Sequence, residues 1–390
     1  MAPPTPAPAL NIPSGNTAVT ISAIDTTLWI SGVSTSQMYS PPIKSFGRVR
    51  AGCWSFLISH PPSNRKLLYD LGSRKDAINT TSPNWNLKKL YEEGVVESFD
   101  VKKHVAEILA ENGIETKEIE GVIWSHWHFD HTGDMSTFPK TTKLIVGERF
   151  KEAFMPGYPV DEKAWTLESD FEGREVVEVP FGESELNIGS FRAYDYFGDG
   201  SFYILDTPGH AIGHVNALAR TSVDPPEFTH LCGDSAHHCG EIRPSEYIPL
   251  PYLIDPSPLP KVQPYVCPGG MFSSLLRNGS SSEHILELID PFEGRDGMSE
   301  NDRKFSIMYD KEETMRSVRK VEGFDANENV FTLLAHDWSL KGVIDEWPKG
   351  DLNGWRKRGW RRDGFWKFLE DFEGAVVEDG AVEGGKLPKQ

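Results

Sequence analysis

Four side chains that can bind a metal lie within six consecutive positions of this chain, and they constrain its fold more than any other feature. They are His126, His128, Asp130 and His131, and the apolar run 121–124 precedes them. Side chains alternate along an extended segment, so His126 and His128 would point the same way and reach one cation. Asp130 and His131 would then turn toward a second cation. Because the apolar run is typical of a buried strand, the sequence predicts a metal site on a loop at a strand end.

The same kinds of side chain follow three later apolar runs. His210 comes after a strand-like run through a turn that contains Gly209, and Asp234 and His336 each follow another such run. Glycine-containing turns after apolar runs are typical of strand ends. Four predicted strand ends thus carry His or Asp, which strengthens the prediction of a metal site.

The order H-x-H-x-D-H, followed by separate His, Asp and His residues, resembles the metallo-beta-lactamase superfamily over roughly residues 17–340. The resemblance implies two divalent metal ions, with Zn²⁺ expected first and Mn²⁺ or Fe²⁺ as alternatives. It implies one ion held by His126, His128 and His210, a second held by Asp130, His131 and His336, and Asp234 bridging the two. It also implies that Asp70, in a D-x-G turn, supports the ligands.

Strand-like and helical patterns alternate in two blocks along the chain, which favours two sheets enclosed between helical layers. The resemblance implies the same α/β architecture, an αββα sandwich with two mixed sheets. Residues 1–16 are predicted to form a disordered arm, residues 17–345 the catalytic domain, and residues 346–390 a C-terminal helix and tail. A Pro-rich insertion at about 240–309 is predicted to form part of the pocket wall or a lid, with a solvent loop as the alternative.

The charge of the chain disfavours a nucleic-acid substrate, because 58 acidic against 40 basic residues give a formal net charge of -18. The basic segment 355–362 is interpreted as a solvated or packing face of the C-terminal helix rather than a phosphate-binding patch. No apolar run approaches the roughly 18 residues that cross a bilayer, so we expect no membrane partner. The sequence does not indicate an oligomeric state.

Cysteine use and the N-terminal residues both favour a cytoplasmic location. The four cysteines show no paired CxxC spacing and are too few for a disulfide framework, which indicates a reducing compartment. The first residues contain neither a basic region nor an apolar stretch, so they do not match a secretory signal.

The predicted function is hydrolysis of a lactone, a cyclic ester, by a metal-bridging hydroxide. Two ions about 3.5 to 4 Å apart activate water and polarise a carbonyl oxygen. Asp130 and Asp234 are the predicted catalytic carboxylates, and Asp234 is a candidate acid for the leaving group. The resemblance is nearest to quorum-quenching lactonases and related fungal-type hydrolases of cyclic esters and amides. Those lactonases carry Tyr three residues after the bridging Asp, where this chain has His237, for which an oxyanion or acid role and a structural role are both open.

Several alternatives remain open on the same scaffold. A lactamase acting on a lactam or cyclic carbamate comes next, followed by a thioesterase of the glyoxalase II kind or one that releases polyketides from a carrier protein. A non-catalytic metal-binding protein is the alternative from another class. Oxygen-reducing diiron relatives are disfavoured by His128, and a persulfide dioxygenase by His336.

The partner expected from this resemblance is a small cyclic ester or amide. Aromatic side chains that could line an apolar pocket for it, with ordinary core packing as the alternative, are Trp127, Phe129, Phe154, Tyr158 and Trp165.

Overall fold

Two six-stranded sheets form the centre of the fold. The computed structural model describes residues 4–289, 303–304 and 306–378. In spatial order the first sheet contains Thr20–Asp25, Trp54–His60, Arg65–Tyr69, Ile119–Ile123, Lys143–Val146 and Val176–Glu178. The second sheet contains Asn187–Ile188, Phe191–Asp195, Phe202–Asp206, Val215–Ser222, Glu227–Leu231 and Val330–Leu333. Each sheet contains both parallel and antiparallel pairs.

Strand Arg65–Tyr69 shows why the central strands are continuously apolar. Leu67 and Tyr69 face the second sheet, whereas Leu68 between them faces the outer helices. All three side chains are buried. A strand that is covered on both faces needs an unbroken apolar run rather than an alternating one, which is the pattern observed here.

Helices cover the outer face of each sheet, and this arrangement confirms the predicted αββα sandwich. The α-helices are Ala77–Thr80, Leu87–Glu92, Val105–Glu111, Phe129–Thr132, Phe150–Phe154, Glu168–Phe171, Lys311–Ala326, Trp355–Arg358, Trp360–Phe365 and Glu373–Glu378. The longest, Lys311–Ala326, is capped by Asp310, which accepts a hydrogen bond from the Glu313 amide at 2.9 Å. Its buried Val318, Val321 and Phe324 pack in the core outside the second sheet.

A three-stranded sheet, called here the small sheet, lies beside the strand ends that carry the metal-binding side chains. It contains Leu28–Ser34, Arg48–Ala51 and Ser98–Val101. The run 19–30 forms two strands, because the chain leaves the first sheet at Thr27, where φ is 58°. The helix that follows begins at Val105, because residues 98–101 belong to the small sheet. Two-stranded pairs join Tyr39–Ser40 to Glu287–Leu288 and Leu253–Ile254 to Cys267–Pro268.

The N-terminal arm is ordered from residue 4 onward, so the predicted disorder is wrong for residues 4–16. Leu10 is buried in the core of the second half, and its carbonyl accepts a hydrogen bond from the Gly189 amide at 2.8 Å. The carbonyl of Pro13 accepts a hydrogen bond from Arg220 at 2.6 Å. Contacts that span this much of the sequence leave no local pattern, which explains the error. Residues 1–3 lie outside the described residues.

The Pro-rich insertion packs against the second sheet over most of its length. Ile254, Phe272 and Leu286 are buried in the same core as the long helix. Among the described residues of the insertion, Ser306 and Ile307 near its end line the cavity described below. Residues 290–302 and 305 lie outside the described residues. The prediction of a wall therefore applies to the last part of the segment.

The described part of the C-terminal region forms three short α-helices and a 3₁₀ helix where one helix was predicted. Gly359 separates the first two with a φ of 78°, a conformation that suits glycine. Trp355 is buried, and Arg361 donates hydrogen bonds to the carbonyls of Val330 and Asp325. The other arginines of the basic segment pair with neighbouring carboxylates. The segment therefore packs on the protein, and three of its arginines pair with carboxylates that lie outside it. Residues 379–390 lie outside the described residues.

Over the described residues, no helix is both long enough and apolar enough to pass through a membrane. All four cysteines are buried and unpaired.

Candidate metal centre

The histidine-rich motif begins where strand Ile119–Ile123 ends. His128 is extended, with φ of -65° and ψ of 145°, and the short helix Phe129–Thr132 starts after it. This change from extended to helical backbone turns Asp130 and His131 away from His128. His126 and His128 therefore point one way, as alternation along an extended segment predicts, and Asp130 and His131 point another.

The first donor group consists of His126, His128, His210 and Asp234. Nε2 of His126 lies 2.8 Å from Nδ1 of His128, and Nε2 of His210 lies 3.1 Å and 3.0 Å from those two atoms. Oδ2 of Asp234 lies 3.8 Å from Nε2 of His126. All four residues are buried.

The second donor group consists of Asp130, His131 and His336. Oδ2 of Asp130 lies 3.5 Å from Nε2 of His336 and 4.0 Å from Nε2 of His131. Asp234 lies between the two groups: its Oδ2 is 3.2 Å from Nε2 of His131, and its Oδ1 is 3.4 Å from Nε2 of His336. The structure thus brings together all seven donors named from the sequence, with Asp234 in the bridging position.

Glycine turns bring the second-sheet donors to the motif. Gly233 precedes Asp234 with a φ of 48°, and a Cβ at this position would lie 2.8 Å from Cβ of Ser125. The turn can therefore approach the motif only because residue 233 lacks a side chain. His214 holds the same turn, since its Nε2 accepts a hydrogen bond from the Asp234 amide at 3.1 Å.

Four of the five imidazoles are fixed in one orientation by acceptors on their outer nitrogens. Nε2 of His128 lies 3.0 Å from the carbonyl of Ser306, and Nδ1 of His336 lies 2.9 Å from that of Gly52. Each carbonyl can only accept, so the outer nitrogen of each ring carries the proton and the inner nitrogen presents a lone pair.

Asp70 does the same for the other two imidazoles. Its Oδ2 lies 2.9 Å from Nδ1 of His131 and accepts a hydrogen bond from the Ser125 hydroxyl at 2.8 Å. That hydroxyl lies 3.0 Å from Nδ1 of His126, from which it can accept. Lone pairs directed at one another from neutral rings repel unless a cation lies between them, so the donors fit divalent metal ions.

The pKa values of the donor side chains also favour the binding of divalent metal ions. Burial lowers the pKa of His126 and His210 well below the usual value and lowers that of His128 to about 4, so these rings stay neutral. Burial would raise the pKa of Asp234, but His131 and other imidazoles hold it well below its usual range. Despite burial, Asp234 raises the pKa of His131 and His336, so the neutral rings are the three of the first donor group. A carboxylate beside three neutral imidazoles is a donor set that suits zinc, manganese or iron.

His237 lies beside the donors without belonging to either group. Its Nε2 is 3.4 Å from Oδ2 of Asp234, and its ring centroid is 4.8 Å from that of His210. The amides of His237 and His238 both donate to Oε1 of the buried Glu241, at 2.8 Å and 2.9 Å. His237 is therefore placed where it can contact a molecule that reaches the donors. His238 turns away and pairs with Asp371 at 3.2 Å.

A cavity of about 510 Å³, called here the apolar cavity, opens onto both donor groups. His128, Asp130, Asp234, His237 and His336 form its polar end. The rest of its wall is almost entirely apolar and includes Ile30, Val49, Ile78, Trp85, Leu87, Leu90, Tyr91, Val96, Phe99, Phe129, Trp165 and Ile307. Most of these come from the small sheet and from the segment 78–99, for which the sequence analysis named no role. A concave apolar site with a few convergent polar groups is typical of small-molecule binding.

Only two of the five aromatics named from the sequence line this cavity. Phe129 and Trp165 are in its wall. Trp127 and Phe154 are buried behind it and stack on each other with ring centroids 5.0 Å apart. The expectation that they contact substrate is corrected by the structure, because Trp127 alternates with the two histidines and points into the core. Tyr158 is not among the lining residues either.

Trp85 is the aromatic that the sequence analysis missed. It stacks on Trp127 with ring centroids 5.1 Å apart, and it meets Phe129 and Trp165 edge-on at 4.7 Å and 4.8 Å. Its Nε1 donates a hydrogen bond to the carbonyl of Trp165 at 3.0 Å. Trp85 thus joins the buried aromatics to the cavity wall. Trp85 lies in a short turn that contains proline, where the sequence has no helix or strand periodicity that would indicate which way its side chain points.

Comparisons of this chain with known proteins agree on one family. The sequence profile of the metallo-beta-lactamase superfamily matches residues 49–216. Gamma-lactamase FDB1 of Fusarium pseudograminearum (strain CS3096) is 41% identical over 386 residues, which cover 96% of this chain and 89% of that protein. Metallo-hydrolase mfmC of Annulohypoxylon moriforme is 38% identical over 375 residues, which cover 96% of this chain and 92% of that protein.

The fold is also that of a solved N-acyl homoserine lactone hydrolase. The two structures superimpose with a TM-score of 0.53 at 16% identity, over 86% of this chain and 100% of the other. The donor arrangement, the sandwich and the long matches to relatives agree with one another. The chain is a hydrolase that belongs to the metallo-beta-lactamase superfamily.

Proposed function

We propose that this chain is a dinuclear metallohydrolase that opens a cyclic amide, a lactam or the closely related cyclic carbamate. The observation that carries the proposal is the convergence of two donor groups, joined by Asp234, at one end of an apolar cavity. A ring could enter this end with its carbonyl toward the donors while an apolar substituent occupies the rest of the cavity.

In this proposal His126, His128 and His210 would hold one ion, and Asp130, His131 and His336 would hold the other. Asp234, which lies between the two groups, would contribute to both sites. The ions, with Zn²⁺ expected first, would supply a water of lowered pKa and a Lewis acid for the substrate carbonyl. Asp70, Ser125 and the carbonyls of Gly52 and Ser306 keep the imidazoles in the required tautomers.

His237 would carry a proton from the attacking water to the leaving nitrogen, because burial lowers its pKa and leaves the resting ring neutral and able to accept that proton. An amide nitrogen leaves only after protonation, and the Nε2 of His237 lies in the cavity wall beside Asp234. Glu241 fixes the backbone on which this ring is carried. The apolar side chains around the donors limit the access of bulk water and strengthen the electrostatic interactions there.

The order of candidates differs from the one that the sequence alone favours. The sequence places a cyclic ester first and a cyclic amide or carbamate next. The relative that is 41% identical over 96% of this chain is named a gamma-lactamase, which supports placing the amide first. The lactone stays as the second candidate because its ring oxygen would take the same place as the lactam nitrogen and would use the same groups.

Three rings that differ in one atom test this proposal. A γ-lactam, a γ-lactone and a γ-thiolactone with the same phenylalkyl substituent should be compared by kcat/KM on the zinc-loaded protein. We expect hydrolysis of the lactam, and the His237→Ala variant should lose more activity on the lactam than on the thiolactone, whose thiolate leaves without a proton. Turnover of the thiolactone alone would contradict the proposal and favour a thioesterase.

A further inference from the structure

A second cavity of about 720 Å³ meets the candidate metal centre from the other side of Tyr39. His237 and His336 belong to the walls of both cavities, as do Tyr39, Val49 and Ala51. The second cavity differs in character from the apolar one, because charged side chains form part of its wall. A molecule held at the donors could therefore extend a polar group into it.

All the charged side chains of this wall except one have a partner. Arg48 donates to the carbonyl of Gly32 at 2.6 Å and lies 3.2 Å from Glu97. Among the acidic side chains, Asp371 pairs with His238, Glu370 with Lys367, and Asp337 accepts from Ser339 and Cys239. Arg50 is exposed on the same wall, and its guanidinium makes no ion pair or hydrogen bond with any residue that the structure describes.

Tyr39 adds a second donor without an acceptor. Its side chain is 3% exposed and lines both cavities, and its hydroxyl has no hydrogen-bond partner among the described residues. Burial, together with the carboxylates of Glu241, Asp234 and Asp371, raises its pKa well above the usual value, so the phenol keeps its proton. The hydroxyl is not among the fully buried atoms that lack a partner, so a molecule in the cavity can reach it and accept its hydrogen bond.

We propose that Arg50 and Tyr39 form a carboxylate-binding subsite in the second cavity, beside the metal centre. Arginine and a phenol can both donate to one carboxylate, and the guanidinium suits its geometry. In a chain with a formal net charge of -18, the unpaired guanidinium of Arg50 places a positive charge on the cavity wall that is available to an anion.

The subsite deepens the proposed function and rests on it for the nature of the substrate. The carboxylate is either an acidic substituent of the ring or the group that ring opening creates, because hydrolysis of a lactam or lactone leaves a carboxylate on the former carbonyl carbon. Its position beside the donors suits both sources.

The subsite can be tested by measuring the affinity of ligands that the protein does not hydrolyse. Isothermal titration of the zinc-loaded protein with 4-phenylbutyrate and with 4-phenylbutanamide separates the contribution of the carboxylate to the affinity from that of the rest of the ligand. We expect Arg50→Gln to weaken binding of the carboxylate about tenfold and to change binding of the amide less than about twofold. Tyr39→Phe should weaken carboxylate binding by a smaller factor. Arg48→Gln is the matched control, because Arg48 is already engaged, and it should bind both ligands like the wild type.

Unchanged carboxylate affinity in Arg50→Gln would overturn the proposal, since the metal ions alone would then account for binding. This measurement stands apart from the proposed function, because a protein that hydrolyses none of the rings can still be titrated. Kinetics then separates the two sources. For an acidic substituent, Arg50→Gln raises KM only for a lactam that carries the acid and not for its methyl ester. For the carboxylate of the product, it weakens inhibition by the opened ring of a neutral lactam.

Discussion

Nδ1 of His131 lies 2.9 Å from Oδ2 of Asp70, and the same oxygen accepts a hydrogen bond from Ser125, whose hydroxyl contacts His126. One buried carboxylate thus orients an imidazole in each donor group. The two groups are therefore coupled through their outer nitrogens as well as through the shared Asp234.

Asp70→Asn should weaken metal binding by about 10- to 100-fold, because an amide replaces an oxygen that accepts from His131 and Ser125. Competition for Zn²⁺ with a chromophoric chelator measures the effect. Asp325→Asn is the control: Asp325 is also buried, but it pairs with Arg243 away from the donors. That variant should unfold at a lower temperature and keep its metal affinity. Equal losses of affinity in the two variants would argue against a specific role for Asp70.

Removal of metal should abolish ring opening, and addition of Zn²⁺ or Mn²⁺ should restore it. The metal-loaded protein should also unfold at a higher temperature than the chelated one, because ions that bind only the folded chain stabilise it. Calorimetry and a hydrolysis assay on the same dialysed samples check both points. Full activity in protein shown by elemental analysis to be metal-free would rule out the mechanism.

Trp85→Leu should raise KM about tenfold for a lactam with a large apolar substituent, since the aromatic wall of the apolar cavity loses its central ring. An unsubstituted lactam should be affected less than about twofold, because it would occupy only the polar end of the cavity. Thermal unfolding controls for general damage, since Trp85 also packs on Trp127. A similar rise in KM for both lactams would mean that Trp85 does not determine substrate size.

Glu241→Gln should change how stability depends on pH. Burial raises the pKa of Glu241 to about 8, whereas an unfolded Glu titrates near ~4.3. The stability that the protonated carboxyl contributes is complete below the unfolded pKa and is lost as pH rises through about 8. The glutamine variant cannot ionise, so between pH 6 and pH 8 it should gain about 2 kcal/mol relative to the wild type.

Urea denaturation with metal bound throughout measures this difference. Glu120→Gln is the control, because Arg65 lowers the pKa of Glu120 and both states of that carboxyl are ionised above pH 6. Its stability relative to the wild type should stay constant over the same range. Parallel pH profiles for the wild type and the Glu241 variant would contradict the prediction.

The donors were accessible to sequence analysis because each stands at the end of an apolar run. His126 and His128 also follow the alternation of an extended segment, which the structure reproduces. The groups that fix their tautomers were less accessible. Two of these are backbone carbonyls, those of Gly52 and Ser306, and a carbonyl leaves no mark in the residue type.

The cavity wall was harder to predict than the fold. Trp85, Tyr39 and Phe99 reach the site from short elements without periodicity, and contacts distant in sequence place them. The two-sheet sandwich was predictable because its apolar runs are long and regular. Trp127 lies between His126 and His128 in the extended segment. The alternation that directs the two histidines toward the site therefore directs Trp127 away from it, into the core.

The donors come from both sheets, the histidine motif from the first and His210, Asp234 and His336 from the second. Neither half of the chain can assemble the full set of donors by itself. During synthesis, which proceeds from the N-terminus, a complete pair of ion sites therefore forms only after residue 336 has left the ribosome and the two halves have docked. Under the proposed function, loading of both sites with metal would therefore be a late event that reports on the docking of the two halves.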